Sequence, residues 1–239
     1  MTQISAVTFD AAETLFTPAR PVGETYSVMA RDFGGELDAE RLQHGFRVEF
    51  AAMSPLGFPD CNPCELDSLE REWWHELVTR VVGHAGHVPR FNDYFDTVYD
   101  YYAGAQAWCL FPEVHKVLSE LKARRIRLAV VSNFDSRLLP VLAGLNIASY
   151  FDDVVFSSLA GVAKPDPRIF ELALSRLDVK PSAALHLGDN PVADRQGARD
   201  AGMQSVLVER AMPRKFAHSV SSLDSILTRV GCGQGGADR

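Results

Sequence analysis

Basic residues are in the minority in this chain: 24 Lys and Arg face 31 Asp and Glu over 239 residues, for a formal net charge of -7. That balance leaves no large basic surface to neutralise a phosphate backbone, so nucleic acid is not an expected partner. Long apolar runs are missing too. No stretch approaches the roughly 20 residues that a membrane helix needs, and MTQISAVTFD has neither the charged start nor the small-residue cleavage site of a signal peptide. The expectation is a soluble, cytoplasmic protein. Cysteine is scarce as well: Cys61, Cys64, Cys109 and Cys232 are too few and too irregular for a disulfide framework. The pair in CNPC lacks the second pair of a zinc site and the preceding strand of a redox site, so Cys61 and Cys64 read as loop residues. His84 and His87 in GHAGH lack a third ligand and read the same way.

What is present is an alternation of short apolar runs with helical patterns. With 46% hydrophobic residues, the chain can build one core, or a core plus a smaller inserted unit. ISAVTFD ends at Asp10, IRLAVVSN at Ser132 and Asn133, and AALHLGDN at Asp189 and Asn190; each reads as a buried parallel strand. DDVVFSS (152–158) and QSVLVE (204–209) are two further strand candidates. In PEVHKVLSELKARR, Val114, Val117, Leu118 and Leu121 follow helical spacing, with Pro112 suited to the first turn. The fold class expected is α/β, a doubly wound parallel (Rossmann-like) sheet.

Residues 17–108 break that rhythm. GETYSVMARDFG, DAERLQHGFRVEF, DSLEREWWHELVTRVV and RFNDYFDTVYDYYAG are helical and aromatic-rich, with no convincing strand. They predict a helical insertion at 17–108 within a core of residues 1–16 and 109–230, followed by a disordered glycine-rich tail at 231–239. Trp73, Trp74, Tyr94, Phe95, Tyr99 and Tyr102 could line a pocket, but aromatics at helical spacing are more often packed in a bundle core.

In an open parallel sheet, ligands bind in the crevice at the carboxyl ends of the strands. Those ends carry Asp10, Ser132, Asn133 and Asp189, with Asp194 close behind. Carboxylates clustered there raise one another's pKa unless a cation intervenes, and Mg²⁺ is the natural hard cation for oxygen ligands. Lys164, ahead of a helix in AKPDPRIF, adds positive charge suited to an anion such as phosphate. His186, inside the third run, could touch the site from below, though a satisfied core histidine is the more common outcome, and Gly188 reads as a tight-turn residue with no chemical role.

FDAAETLF, VVSN, AKPDPRIF and GDNPVAD, in this order and spacing, resemble the four motifs of the haloacid dehalogenase superfamily across most of the chain. The resemblance implies a hydrolase whose helical insertion is similar to a cap over the active site. It implies a phosphatase acting on a small phosphorylated metabolite, with Asp10 as nucleophile and Thr14 orienting it. Ser132, Asn133 and Lys164 would surround the phosphoryl group, and Lys164 would balance its charge. Asp10, Asp189, Asp194 and the backbone carbonyl of Ala12 would hold Mg²⁺, with Asn190 in support.

One position departs from the family pattern. Phosphatases of the family place a second Asp two residues after the nucleophile to protonate the leaving group; here it is Ala12. General acid–base catalysis contributes about 10² to 10⁴ in rate, so a slow or specialised phosphatase is implied. The chain most resembles a subgroup of hydrolases with SNFD and KPDPRIF runs that also lacks this Asp. Glu13 next to it is acidic, but in an extended segment its side chain should point away. Alternatives are a metal-free 2-haloacid dehalogenase, against which the acidic Asp189 stands, and a phosphate- and Mg²⁺-binding module without turnover. A phosphonate-cleaving enzyme would need an amine in the insertion, and no lysine precedes Lys116.

Overall fold

The computed structural model of the chain describes residues 3–210 and 215–230. Among the described residues seven strands are formed: β1 (Ala6–Phe9), β2 (Phe16–Pro18), β3 (Trp108–Leu110), β4 (Arg127–Ser132), β5 (Asp153–Phe156), β6 (Ala184–Gly188) and β7 (Gln204–Leu207). Five of them make one parallel sheet in the order β5-β4-β1-β6-β7. The chain winds from β1 outward through β4 to β5, then crosses to the other side for β6 and β7. The crevice of such a sheet opens beside the central strand where the winding reverses.

Both faces of the sheet are covered. Val7 and Phe9 pack with Leu128, Val130, Leu185 and Leu187 against α5 (Val114–Ala123) and α6 (Leu138–Gly144). Ala6, Ala129, Val131 and Val155 face the other way, onto Ile169 and Phe170 of α8 (Pro167–Leu177). Burial on both sides is why these strands read as unbroken apolar runs rather than alternating ones. Phe9 lies opposite Val130 and Leu187, so Asp10, Ser132 and Asp189 leave the sheet at one edge.

The insertion holds α1 (Val22–Ala30), α2 (Ala39–Ala52), α3 (Leu66–Gly83) and α4 (Phe91–Tyr101), one for each helical segment of the sequence. Asp38 starts α2 by accepting from Arg41 N at 2.8 Å, an N-cap bond that satisfies an otherwise open amide. Tyr26, Leu42, Leu77, Val81, Tyr94 and Val98 belong to a cluster separate from those on the sheet.

Four local expectations need correction. The stretch expected to lack strands begins and ends in an antiparallel ribbon, with Thr17 opposite Cys109 and Pro18 opposite Trp108. Three-residue strands show no readable alternation, and a proline argues against a strand except at an edge. Pro112 precedes Glu113, the cap of α5, instead of occupying its first turn. DDVVFSS is strand only to Phe156, because Ser157 opens the short helix α7 (Ser157–Ala160). QSVLVE is strand only to Leu207, after a last short helix, α9 (Gly197–Asp200). The glycine-rich tail and Cys232 lie outside the described residues, and Cys61, Cys64 and Cys109 are free thiols. Among the described residues no helix is long and apolar enough to cross a membrane.

Candidate active site

Asp10 follows β1, Asp189 follows β6, and Asp194 sits in the helical turn Pro191–Gln196 that comes next. One ligand oxygen from each lies within 4.8 Å of the others. Lys164 enters from the segment before α8, with its side chain buried. Its Nζ is 2.7 Å from Asp10 Oδ1 and 2.6 Å from Asp194 Oδ1. Four residues from three distant stretches of the sequence thus meet at one sheet edge.

Burial opposes the charge on Lys164, but the Asp10 and Asp194 carboxylates outweigh it and hold the ammonium protonated. Burial also opposes ionisation of Asp194, yet Lys164 and His186 keep its carboxyl below the usual range. Asp189 goes the other way: burial first, then the Asp10 and Asp194 charges, push it upward. Three carboxylates against one ammonium leave negative charge in excess, and the donor set is all oxygen, which fits a hard divalent cation such as Mg²⁺. Within the set, Asp194 is already occupied. Its Oδ1 accepts from Lys164 and lies 3.2 Å from His186 Nε2, and its Oδ2 accepts from Asn190 N at 2.8 Å. Asp10 and Asp189 are the freer ligands, while Asp194 also fixes Lys164.

The other residues singled out from sequence divide. Ser132 is buried at the end of β4. The Asn133 side chain clamps the backbone of Lys164, accepting from its N–H at 2.7 Å and donating to its carbonyl at 2.9 Å. Asn190 supports Asp194 through its backbone; its side chain instead accepts from Val192 N and Ala193 N, capping the helical turn. The Thr14 hydroxyl is buried without a hydrogen-bond partner, so it does not hold Asp10 by a hydrogen bond. Residues 11–15 turn tightly about the Ala11 carbonyl, and this directs Thr14. The same turn overturns the extended reading of Glu13. Its φ is 59°, its Oε1 accepts from Thr17 Oγ1 at 2.7 Å, and it lines the cavity beside Ala12. The Ala12 carbonyl takes no backbone hydrogen bond among the described residues.

Gly188 also needs a different explanation. A Cβ built there would come within 2.1 Å of Asp194 Cγ, and its φ is not in the left-handed region. The residue is glycine for clearance, because Asp194 packs where a side chain would be. Gly188→Ala is expected to cost about 3 kcal/mol by overpacking and to displace Asp194. Urea denaturation checks this, and an unchanged midpoint would contradict it.

Two networks stand behind the site, of which only the first had a candidate in the sequence. His186 is fully buried, with Nδ1 2.8 Å from Thr8 Oγ1 and Nε2 facing Asp194. It is the satisfied core histidine expected, but it also supports the site. The second network joins the insertion to the core. Fully buried Glu70 of α3 accepts from Ser136 N, Ser136 Oγ and Ser158 Oγ. Asp135 holds Trp74 Nε1 at 2.6 Å and grips Arg137 through both oxygens, at 2.9 and 2.6 Å. The Arg137 guanidinium lies 3.9 Å from the Tyr99 ring centroid and 4.6 Å from that of Trp74. An acid amid an otherwise ordinary helix and the DSR run after SNF were the only sequence signals.

Two outcomes test Glu70. Glu70→Ala strands buried donors and is expected to destabilise by about 2–4 kcal/mol, measured by urea unfolding. Burial raises the Glu70 pKa, so the folded protein retains a proton that the unfolded chain has released. Its contribution is full below the ordinary glutamate pKa and is lost as pH rises through the raised value. Glu70→Gln should flatten that fall; parallel stability–pH curves for parent and variant would refute it.

Between the insertion and the core lies a cavity of about 280 Å³ whose floor includes Ala12, Glu13 and Asn133. Trp74, Phe95, Tyr99 and Tyr102 line it as well as packing against the helical cluster, so core and pocket were not exclusive readings. His84 pairs with Glu49 at 2.7 Å, and neither it nor His87 joins a three-ligand group among the described residues.

An open parallel sheet with an acidic cluster and a buried lysine at its carboxyl edge is the setting in which an α/β enzyme places its active site. A family model described as haloacid dehalogenase-like hydrolase matches residues 4–202, and the chain belongs to that family. Haloacid dehalogenase-like hydrolase domain-containing protein 3 of Homo sapiens is 34% identical over 245 residues, spanning 98% of this chain and 96% of the relative. Among solved structures, a HAD phosphatase from Thermococcus onnurineus matches with a TM-score of 0.67 at 20% identity, covering 96% of this chain and 99% of that one. L-2-haloacid dehalogenase from Xanthobacter autotrophicus matches with a TM-score of 0.70 at 21% identity, covering 98% and 100%. One architecture carries both activities, so this likeness speaks for the fold alone.

Proposed function

We propose that the chain is a slow or specialised Mg²⁺-dependent phosphatase that acts on a small phosphorylated metabolite through Asp10. The observation that carries this reading is the shared Lys164 ammonium, 2.7 Å from Asp10 and 2.6 Å from Asp194, with Asp189 alongside. Asp10 attacks phosphorus, the bond to the leaving oxygen breaks, and water then cleaves the phosphoryl-aspartate to restore Asp10. Lys164 balances the charge of Asp10 and of the phosphoryl group, and Ser132 holds a phosphoryl oxygen. Asp194 keeps the lysine in place. Asp10, Asp189, Asp194 and the Ala12 carbonyl would hold Mg²⁺, which neutralises charge on the transferring group.

Residues 17–108 serve as a cap on a core of residues 1–16 and 109–230, excluding water and selecting substrate. Three free thiols suit a reducing, cytoplasmic setting. The competing reading, a metal-free 2-haloacid dehalogenase, draws on the missing acid at Ala12, but a substrate carboxylate would meet Asp189 and Asp194. A panel of phosphomonoesters with and without Mg²⁺ separates the two. Slow, metal-dependent phosphate release is expected; halide release from 2-haloacids without metal would displace the phosphatase reading.

A further inference from the structure

The cavity floored by Ala12, Glu13 and Asn133 bears on what kind of alcohol is released, an inference that rests on the phosphatase reading. Its walls are rich in aromatics, with Trp74, Phe95, Tyr99, Tyr102 and Trp108 from the insertion and Phe134 from the core. Glu13 and Arg137 are the charged residues among its lining. The Arg137 charge is cancelled on the spot by the two-point grip of Asp135, and Arg137 Nη1 donates to the Tyr99 carbonyl at 3.2 Å. A leaving group with negative charge of its own would therefore find no free cation in the lining and would be repelled by Glu13, which is unfavourable.

Size narrows the class further. A dry apolar cavity of about 150 Å³ holds one benzene ring. At about 280 Å³ this cavity has room for two fused rings, and aromatic walls favour flat aromatic occupants through edge and face contacts.

Ala12 leads independently to the same class. An alkoxide resembles hydroxide, whose conjugate acid has a pKa of about 15.7, and needs a proton as it leaves. A phenolate, with a conjugate acid near pKa 10 (about the tyrosine value), departs far more readily without one. We infer that the cavity receives the leaving group of the substrate, and that this group is a bicyclic aromatic alcohol with no negative charge of its own, bearing the phosphate on its phenolic oxygen. Asp10 forms the new bond to phosphorus, the aryl oxygen leaves with the electron pair of the broken bond, and the phenolate takes its proton from water.

The experiment has two arms. In the first, 1-naphthol alone is titrated by calorimetry into Asp10→Asn protein, which needs no turnover and no change to the cavity; saturable one-to-one binding is expected. In the second, kcat/KM is compared for 1-naphthyl phosphate, propyl phosphate and phosphoserine. The aryl ester should lead by about 10² to 10⁴, the range that a positioned acid otherwise supplies. Val98→Phe, which places a ring in the cavity, should erase that lead. Hydrolysis of phosphoserine as fast as the naphthyl ester, with no naphthol binding, overturns the inference and leaves the phosphatase reading standing. Failure to hydrolyse any ester, even with naphthol bound, overturns the phosphatase reading and the leaving-group role with it.

Discussion

Asp10→Asn is expected to lower phosphate release by at least about 10⁴-fold while leaving the fold intact, a loss of the size found when a nucleophilic machinery is dismantled. An amide oxygen is a poor nucleophile, and it makes a weaker partner for Lys164 than a carboxylate does. The substitution is nearly isosteric and removes one of three crowded negative charges. Asp189, pushed upward partly by Asp10, should then titrate lower, and thermal stability should hold or rise. Phosphate release measured with Mg²⁺ alongside a melting curve checks both halves. Turnover within tenfold of the parent would remove Asp10 as nucleophile, and a collapsed melting curve would show that its role is structural.

The second large effect is a gain. Ala12→Asp places a carboxyl group two residues after Asp10, the position at which the motif resemblance leads one to expect an acid. Ala12 is half-buried on the floor of the cavity, so a carboxyl there can reach the oxygen that leaves. On alkyl esters kcat/KM should rise by about 10² to 10⁴, equivalent to roughly 3–5 kcal/mol of barrier. Aryl esters should gain far less, because their leaving oxygen departs without a proton. Parallel assays of propyl and 1-naphthyl phosphate read the difference. No gain on propyl phosphate, with Mg²⁺ dependence unchanged, would show that proton transfer is not what this site lacks.

Much of the site was legible because its chemistry sits at strand ends. Asp10, Ser132 and Asp189 terminate apolar runs, and a parallel sheet brings such termini to one edge whatever the loops do. Lys164 was legible only from its place in the order of motifs, since a lysine before a proline has no local signature. Glu13 was misread because φ 59° inside FDAAET reflects the tight turn about Ala11, and no periodicity reports a turn of that kind. Gly188 was misread because the atom that excludes its side chain belongs to Asp194, six residues away and on another element.

The sequence by itself determined the α/β class, the strand ends that carry the acidic cluster, the four helical segments and the missing acid at Ala12. Each of these is written in local pattern: apolar runs for strands buried on both faces, helical spacing, a residue type at a counted position. Only the tertiary structure decided that Asp194 is occupied by Lys164, His186 and Asn190. It alone decided that Asp135 neutralises Arg137, that Glu70 ties α3 to Ser136 and Ser158, and that the aromatics of the insertion line a cavity over Ala12 and Asn133. Those contacts join residues as many as 88 positions apart, and side chains that far apart meet only when packing places their elements together.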